Sequence, residues 1–250
     1  MKIVIALLLA VFLLPALAVC EQQEEPLAEI AGETQVFDFD YGAPEGFRVS
    51  DGWTNGSVFQ VTWRAANATF ADGRMQLSID RDPLGNGQIP YSGGEIQSRD
   101  FFGYGRYETS MKAIRNDGVV SSFFTYTGPS DNNPWDEIDF EVLGKDTTKV
   151  QLNYFTNGQG NHEILVDLGF DASEGFHRYA FEWRPGRIDW YVDDRHVYTA
   201  TEDIPTTPQK IMANAWCGVG VDDWLKPFRD EGLPLTAEYE WFSYTGMNDE

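Results

Sequence analysis

The chain has 250 residues with 42% hydrophobic and 14% aromatic content, enough to fill the core of one large domain or two small ones. Eighteen Lys+Arg stand against 40 Asp+Glu, a formal charge of −22, and this excludes the basic footprint of a nucleic-acid or anionic-membrane binder. The same field repels polyanions and is indifferent to a neutral ligand; on its own it reads as a solubility or high-salt adaptation.

Residues 1–18 carry one charge, Lys2, then an apolar run from Ile3 to Leu14, Pro15 and the small-x-small sequence Ala16-Leu17-Ala18. That order predicts a secretory signal peptide cut after Ala18, with an apolar run too short to span a bilayer. Leu17-Ala18-Val19-Cys20 also approximates the box that precedes a lipidated cysteine, so a lipid anchor through Cys20 is the alternative to simple secretion. Residues 19–36, acidic and without periodicity, read as a flexible tether. Cys217 is the only other cysteine, and no disulfide is assumed.

From 37 to 250 the pattern is all-β: short alternating runs, turn signals, dense aromatics, no long amphipathic helix. Lys149 to Phe155 alternates, and Arg178–Trp183 leads through Pro185-Gly186 into Ile188–Val192, with Asp193-Asp194 at the next reversal. Pro followed by Gly fits a type II turn, because Pro fixes φ and Gly accepts φ > 0. Many short strands without a linker or repeat predict a single jelly-roll sandwich.

Trp135-Asp136-Glu137-Ile138-Asp139-Phe140-Glu141-Val142 holds the chemistry. A strand period of two puts Glu137, Asp139 and Glu141 on one face and Ile138, Phe140 and Val142 on the other. Like charges in a row raise one another's pKa, which is a means of holding one carboxyl protonated while another is ionised. Glycoside hydrolysis needs that pair, about 5–5.5 Å apart for retention of configuration. Residues i and i+4 of a strand lie about 13 Å apart, so the two Glu side chains must lean together. Which Glu is nucleophile and which is acid stays open at this point. No nucleophile elbow, C-x-x-C pair or P-loop is present, and His162, His177 and His196 lack metal-ligand spacing.

The stretch Trp135–Gly144 resembles the E-I-D-x-E signature of glycoside hydrolase family sixteen, in particular the bacterial lichenases. Similar runs are Val119–Pro129, Gly144–Gln151, Leu168–Ser173 and Gly220–Leu225. The resemblance implies two curved antiparallel sheets with a substrate cleft on the concave face, and a retaining double displacement. It assigns Glu137 as nucleophile, Asp139 as assisting carboxylate and Glu141 as general acid/base. Laminarinase and agarase branches have one more residue before the last Glu; the unbulged repeat here points to the lichenases, with xyloglucan-type transglycosylases as the weaker likeness.

Pyranose faces need flat apolar platforms, and hydroxyl pairs need planar amides or carboxylates. Family-like positions offering these are Trp53, Asn55, Glu95, Phe124, Tyr126 and Trp135, followed by Asn153, Phe155, Asn214, Trp216 and Trp224. The resemblance also implies a cysteine pair, at positions held here by Val61 and about Gly93. An arginine of the cleft becomes Gln97, a tyrosine becomes Phe155 and an asparagine becomes Cys217. A structural Ca²⁺ is implied through Gly73 and Glu240, with a carbonyl near Asp38; Glu240 replaces a shorter Asp. The expected protein is a monomeric hydrolase of neutral β-glucan that needs no cofactor for catalysis and has no nucleic-acid or protein partner. Transglycosylation, action on a related glucan, and non-catalytic carbohydrate binding are the alternatives.

Overall fold

A computed structural model describes residues 29–85 and 87–247; the expected signal peptide, Cys20 and the first part of the tether lie outside the described residues. In chain order the strands are β1 Thr34–Asp38, β2 Phe47–Val49, β3 Val61–Trp63, β4 Ala68–Ala71, β5 Arg74–Arg81, β6 Tyr91–Ser98, β7 Gly105–Lys112 and β8 Val119–Thr127. They continue as β9 Asp136–Leu143, β10 Lys149–Phe155, β11 Ile164–Asp167, β12 His177–Arg184, β13 Arg187–Val192, β14 Arg195–Ala200, β15 Lys210–Cys217 and β16 Leu235–Gly246. A single helical turn, α1 Asp222–Leu225, follows β15.

The strands form one curved sheet in the order β11-β10-β9-β8-β15-β6-β5-β16-β7-β12-β13-β14. It folds on itself into two layers, and the fold is a jelly-roll sandwich. The turn between layers lies within β6: Tyr91, Ser92 and Gly93 pair with β5, whereas Gly94 to Gln97 pair with β15. Two glycines fit this corner for a steric reason. A Cβ on Gly94 would come 2.4 Å from the Asn67 carbonyl oxygen, and one on Gly93 2.7 Å from that of Ala215, so a side chain would push the layers apart.

Between the layers, the inward face of β9 meets the outer layer: Phe140 packs edge-on against Tyr179, centroids 5.5 Å apart. Ile138, Phe140 and Val142 are fully buried, each contributing about 1.5–3 kcal/mol of burial energy. Since that face is committed to the core, Glu137, Asp139 and Glu141 are turned to the concave side. The β9 register against β8 runs from Thr127↔Asp136 to Val120↔Leu143 without a shift, the unbulged arrangement expected from the spacing. Arg184 and Arg187 are register partners across the Pro185-Gly186 turn, with Gly186 at φ +70°.

One boundary needs correction. Residues 34–36, assigned to the tether, belong to β1, which pairs with β16 from Thr34↔Thr245 to Asp38↔Trp241. Its side chains are mostly exposed, so this strand is held by its backbone ladder and leaves little hydrophobic signature.

Candidate active site

The three β9 carboxyls lie at the bottom of the cleft, Asp139 buried and Glu137 and Glu141 half-buried. Trp135 Nε1–H donates to Glu137 Oε2 at 2.6 Å, and Asp139 donates a second hydrogen bond to Glu137. Glu141 Oε2 accepts from Gln151 Nε2 at 2.6 Å, and Gln151 Oε1 accepts from Trp224 Nε1 at 3.0 Å. Strand pairing explains the second contact, because Gln151 and Glu141 are register partners between β10 and β9. Among the described residues none of the three carboxyls has an ion-pair partner.

All three are pushed upward, and burial is the first cause. Glu137 rises to about 8, by burial and then the charge of Glu141, against the Trp135 and Asp139 hydrogen bonds. Glu141 rises to about 7, by burial and then the charge of Glu163, against the Gln151 hydrogen bond. Burial, followed by the charges of Glu137 and Glu141, holds Asp139 well above the usual carboxylate range. The sequence pattern pointed to crowding as the main cause; crowding is secondary here, and for Glu141 the charge that adds to burial is that of Glu163 rather than Glu137. The number of donors separates the two glutamates. Two donors on Glu137 favour its anion, whereas Glu141 accepts from an amide alone. Burial outweighs those donors and leaves Glu137 the higher of the two, so the division of roles rests on the donors and the family signature and not on the net shifts.

The expected binding residues converge on this cleft. A cavity of about 370 Å³ is bounded by Trp53, Asn55, Glu95, Phe124, Tyr126 and Trp135, with Asn214 and Trp216 on its far side and the carboxyls at its base. A second cavity beyond the carboxyls takes in Asn153, Phe155 and Trp224. Trp135 stacks on Phe155 at 4.5 Å and is 39% exposed, so it is both a platform and a donor to Glu137. Asn153 Oδ1 is buried with no hydrogen-bond partner among the described residues, an unsatisfied acceptor in the cleft lining. Glu95 accepts from Ser50 Oγ at 2.7 Å and Asn214 Nδ2 at 3.3 Å, and burial raises it to about 7 despite them.

Three readings change in detail. Trp216 is 3% exposed and stacked on Phe59 at 4.0 Å, so it is a wall of the cleft whose face is largely taken. Asn55 Oδ1 is occupied by Trp63 Nε1 at 2.6 Å. Cys217, placed among the sugar contacts, faces the core instead: on β15 the odd position next to Trp216 points away from the cleft. Sequence reasoning missed Gln151 and Ser122, whose Oγ donates to Asn214 Oδ1 at 2.6 Å. Gln151 had a signal, since it precedes Asn153 by two on an alternating strand.

Positions 61 and 93 do adjoin: a Cβ on Gly93 would lie 3.0 Å from Val61 Cγ2, so the valine packs where the cysteine pair was implied. The calcium ligands do not fit the ion. Glu240 Oε2 accepts from Ser110 Oγ at 2.6 Å, and its Oε1 lies 3.7 Å from Arg74 Nη2. Arg74 is 3.7 Å from Glu238 as well and rests on the Phe176 ring at 4.5 Å. The carboxylate beside Gly73 is that of Asp40. A guanidinium thus faces the acidic ligand that the resemblance implies, Glu240, where a calcium site needs converging oxygens.

A groove walled by aromatic rings, floored by unpaired-charge carboxyls that hold protons near neutrality, is the site of a glycoside hydrolase. The chain belongs to glycosyl hydrolases family 16, which it matches over residues 55–241. A xylanase/beta-glucanase of Ruminococcus flavefaciens is 59% identical over 215 residues, 84% of this chain and 27% of that protein. A beta-glucanase of Acetivibrio thermocellus is 58% identical over 192 residues, 77% of this chain and 57% of that protein, so the chain spans only part of these relatives. The crystal structure of a prokaryotic beta-1,3-1,4-glucanase (lichenase) from a mouse hindgut metagenome superposes with a TM-score of 0.83 at 52% identity, covering 86% of this chain and 99% of that one.

Proposed function

We propose that the protein is a secreted endo-β-glucanase that hydrolyses β-1,4 bonds in mixed-linkage β-1,3-1,4-glucan with retention of configuration. The observation behind it is the unequal hydrogen bonding of two glutamates on one cation-free strand face. Glu137, held as acceptor by Trp135 and Asp139, attacks the anomeric carbon while the Glu141 carboxyl passes its proton to the departing glycosidic oxygen. Carboxylate and sugar form an ester, and the leaving sugar departs as a neutral alcohol. Glu141, now ionised, takes a proton from water; the oxygen attacks the same carbon, and Glu137 leaves as carboxylate. Two inversions give net retention. No cofactor enters, since the two carboxyls supply both nucleophile and proton. A neutral glucan suits a chain of charge −22, and the relatives are named for β-glucan as a class.

The test is a reducing-end and product-size assay of the protein and its Glu137→Ala variant on mixed-linkage glucan, laminarin and xyloglucan, with the anomer of the first product followed by NMR. Short mixed-linkage oligosaccharides of β configuration, released by the parent alone, are the expected result. Turnover of laminarin or xyloglucan in preference, or an α-anomeric first product, refutes the reading. Secretion with cleavage after Ala18 predicts a mature chain beginning at Val19; a diacylglyceryl mass on Cys20 would replace it with the anchored form. A monomer is expected by size-exclusion chromatography with light scattering.

A further inference from the structure

At the end away from Asn153 and Trp224, the cleft continues into a cavity of about 550 Å³ that shares Trp53, Tyr126, Ser130 and Met212 with the cavity above the carboxyls. No glutamate of the mechanism reaches this arm. Its polar lining contains two cations, Arg48 and Lys210, and they are placed very differently. Lys210 is buried, ion-paired to Asp131 and set over the Phe101 ring at 5.0 Å. Arg48 is exposed, and the one hydrogen bond of its guanidinium among the described residues is Nη2 to Gln97 Oε1, 2.7 Å.

Arg48 and Gln97 are register partners across β2 and β6. The amide of Gln97 is buried and oriented from behind: Nε2 donates to Ser50 Oγ at 2.9 Å, and Ser50 Oγ donates to Glu95 Oε1 at 2.7 Å. With the Ser50 proton given to Glu95, the serine oxygen must accept from the amide NH₂, and only the carbonyl end of Gln97 is left to face Arg48. Position 97, where the resemblance implies an arginine, thus holds a residue that aims a guanidinium from the next strand. A planar fork with one N–H engaged leaves donors spaced for adjacent hydroxyls, and Trp53, 43% exposed, supplies an indole face in the same arm.

We infer that Arg48 is a specificity-determining substrate contact, donating to neighbouring hydroxyls of a glucosyl ring that stacks on Trp53, and that Gln97 is its positioning residue. This rests on the glucan reading above. The contact rewards chains long enough to fill the arm, so it acts on the length preference of the enzyme.

The experiment measures kcat/KM of the parent, Arg48→Met, Arg48→Lys and Gln97→Leu on reduced mixed-linkage oligosaccharides of increasing length. The longest-to-shortest ratio is expected to fall about ten-fold in Arg48→Met, the size of one hydrogen bond to a charged group. Arg48→Lys restores part of it, and Gln97→Leu loses about three-fold, in KM rather than kcat. A purely structural role would lower all lengths equally, and that result, or an unchanged ratio, overturns the assignment. Tryptophan-fluorescence titration of the Glu137→Gln protein, with and without Arg48→Met, reads the same length dependence in binding without turnover. Should the parent cleave another β-glucan instead, the substrate reading fails and the same ratios are taken on that glucan's oligosaccharides. Length-independent binding of mixed-linkage, β-1,3 and xyloglucan oligosaccharides alike overturns the Arg48 assignment.

Discussion

Two strand faces of this molecule place acids in rows and treat them oppositely. On the outer layer, across β7, β12 and β13, Glu108 and Glu182 both lie 3.1 Å from Arg106, Glu182 also lies 2.7 Å from Arg184, and Asp189 is 2.6 Å from Arg187. Burial pushes Asp189 up, yet hydrogen bonds from Arg187 and Thr199 bring it below its ordinary value. On the cleft face of β9, Glu137, Asp139 and Glu141 meet an indole, an amide and one another, and all rise. Alternation and half-burial are common to both faces. What makes one a brace and the other a reaction centre is the counter-cation, present on one and withheld from the other.

The largest test of this contrast is Glu137→Ala. Turnover should fall by about 10³-fold or more, the scale for removing a nucleophile, while the fold gains stability. The sign follows from linkage. A carboxyl whose folded pKa is raised contributes most below its unfolded value near 4.3, and stability drains as pH climbs toward about 8. Chemical denaturation should therefore show the variant about 1–2 kcal/mol more stable at pH 8 and level with the parent at pH 4. A variant less stable at pH 8 would mean the face is not strained by its charges.

Asp189→Asn probes the other side. Asp189 is buried while Arg187 is about a third exposed and also reaches Thr199, so removing the charge is expected to cost about 1–2 kcal/mol, the scale of a hydrogen bond to a charged group, with kcat unaltered. Asp189 has a depressed pKa; its contribution is present above the unfolded value near 3.9 and disappears as pH falls through the folded one. The gap between parent and variant should close in acid, as monitored by urea midpoints. A smaller effect is expected for Trp135→Phe, which keeps the stack on Phe155 and deletes the N–H bonded to Glu137. Losing a donor to the carboxylate raises its pKa, so the acidic limb of the kcat/KM profile should move to higher pH, with about a ten-fold loss at neutrality. An unmoved limb would take Trp135 out of the tuning of Glu137.

The cation-free row was legible because strand parity is a property of sequence: Glu137, Asp139 and Glu141 could only share a face once Ile138, Phe140 and Val142 were core. The arginines opposite the outer acids were not, since Arg106 and Glu182 meet only through the β7–β12 register, which no single strand encodes. Gln151 shared the readable parity of Asn153, but its contact with Glu141 was hidden for the same reason, being set by the β10–β9 register. Cys217 was misplaced against parity that was readable from Asn214 and Trp216. The β1 ladder escaped notice because an exposed strand held by backbone bonds needs no hydrophobic period.

The smallest expected effect concerns a third acidic cluster, at Glu238 and Glu240, which ought to behave like the outer layer if a counter-cation decides the matter. Arg74 lies 3.7 Å from each carboxylate, and Lys112 lies 3.2 Å from Glu238. With that charge already supplied by the chain, calcium has no acid left to neutralise at Glu238 or Glu240, and the Asp40 carboxylate beside Gly73 is a nearby one without a cation among the described residues. A fitted site at a hundred times its Kd would add about 2.7 kcal/mol, roughly 5–10 °C in Tm at this size. The expectation here is a midpoint equal within about 1 °C in millimolar calcium and in chelator. Arg74→Ser removes the guanidinium and leaves Glu240 free to turn toward the Gly73 loop, so a calcium-dependent rise should emerge in that variant. A rise of several degrees in the parent would show that the ion displaces Arg74, and that the acids of β16 are, like those of β9, waiting for charge from outside the chain.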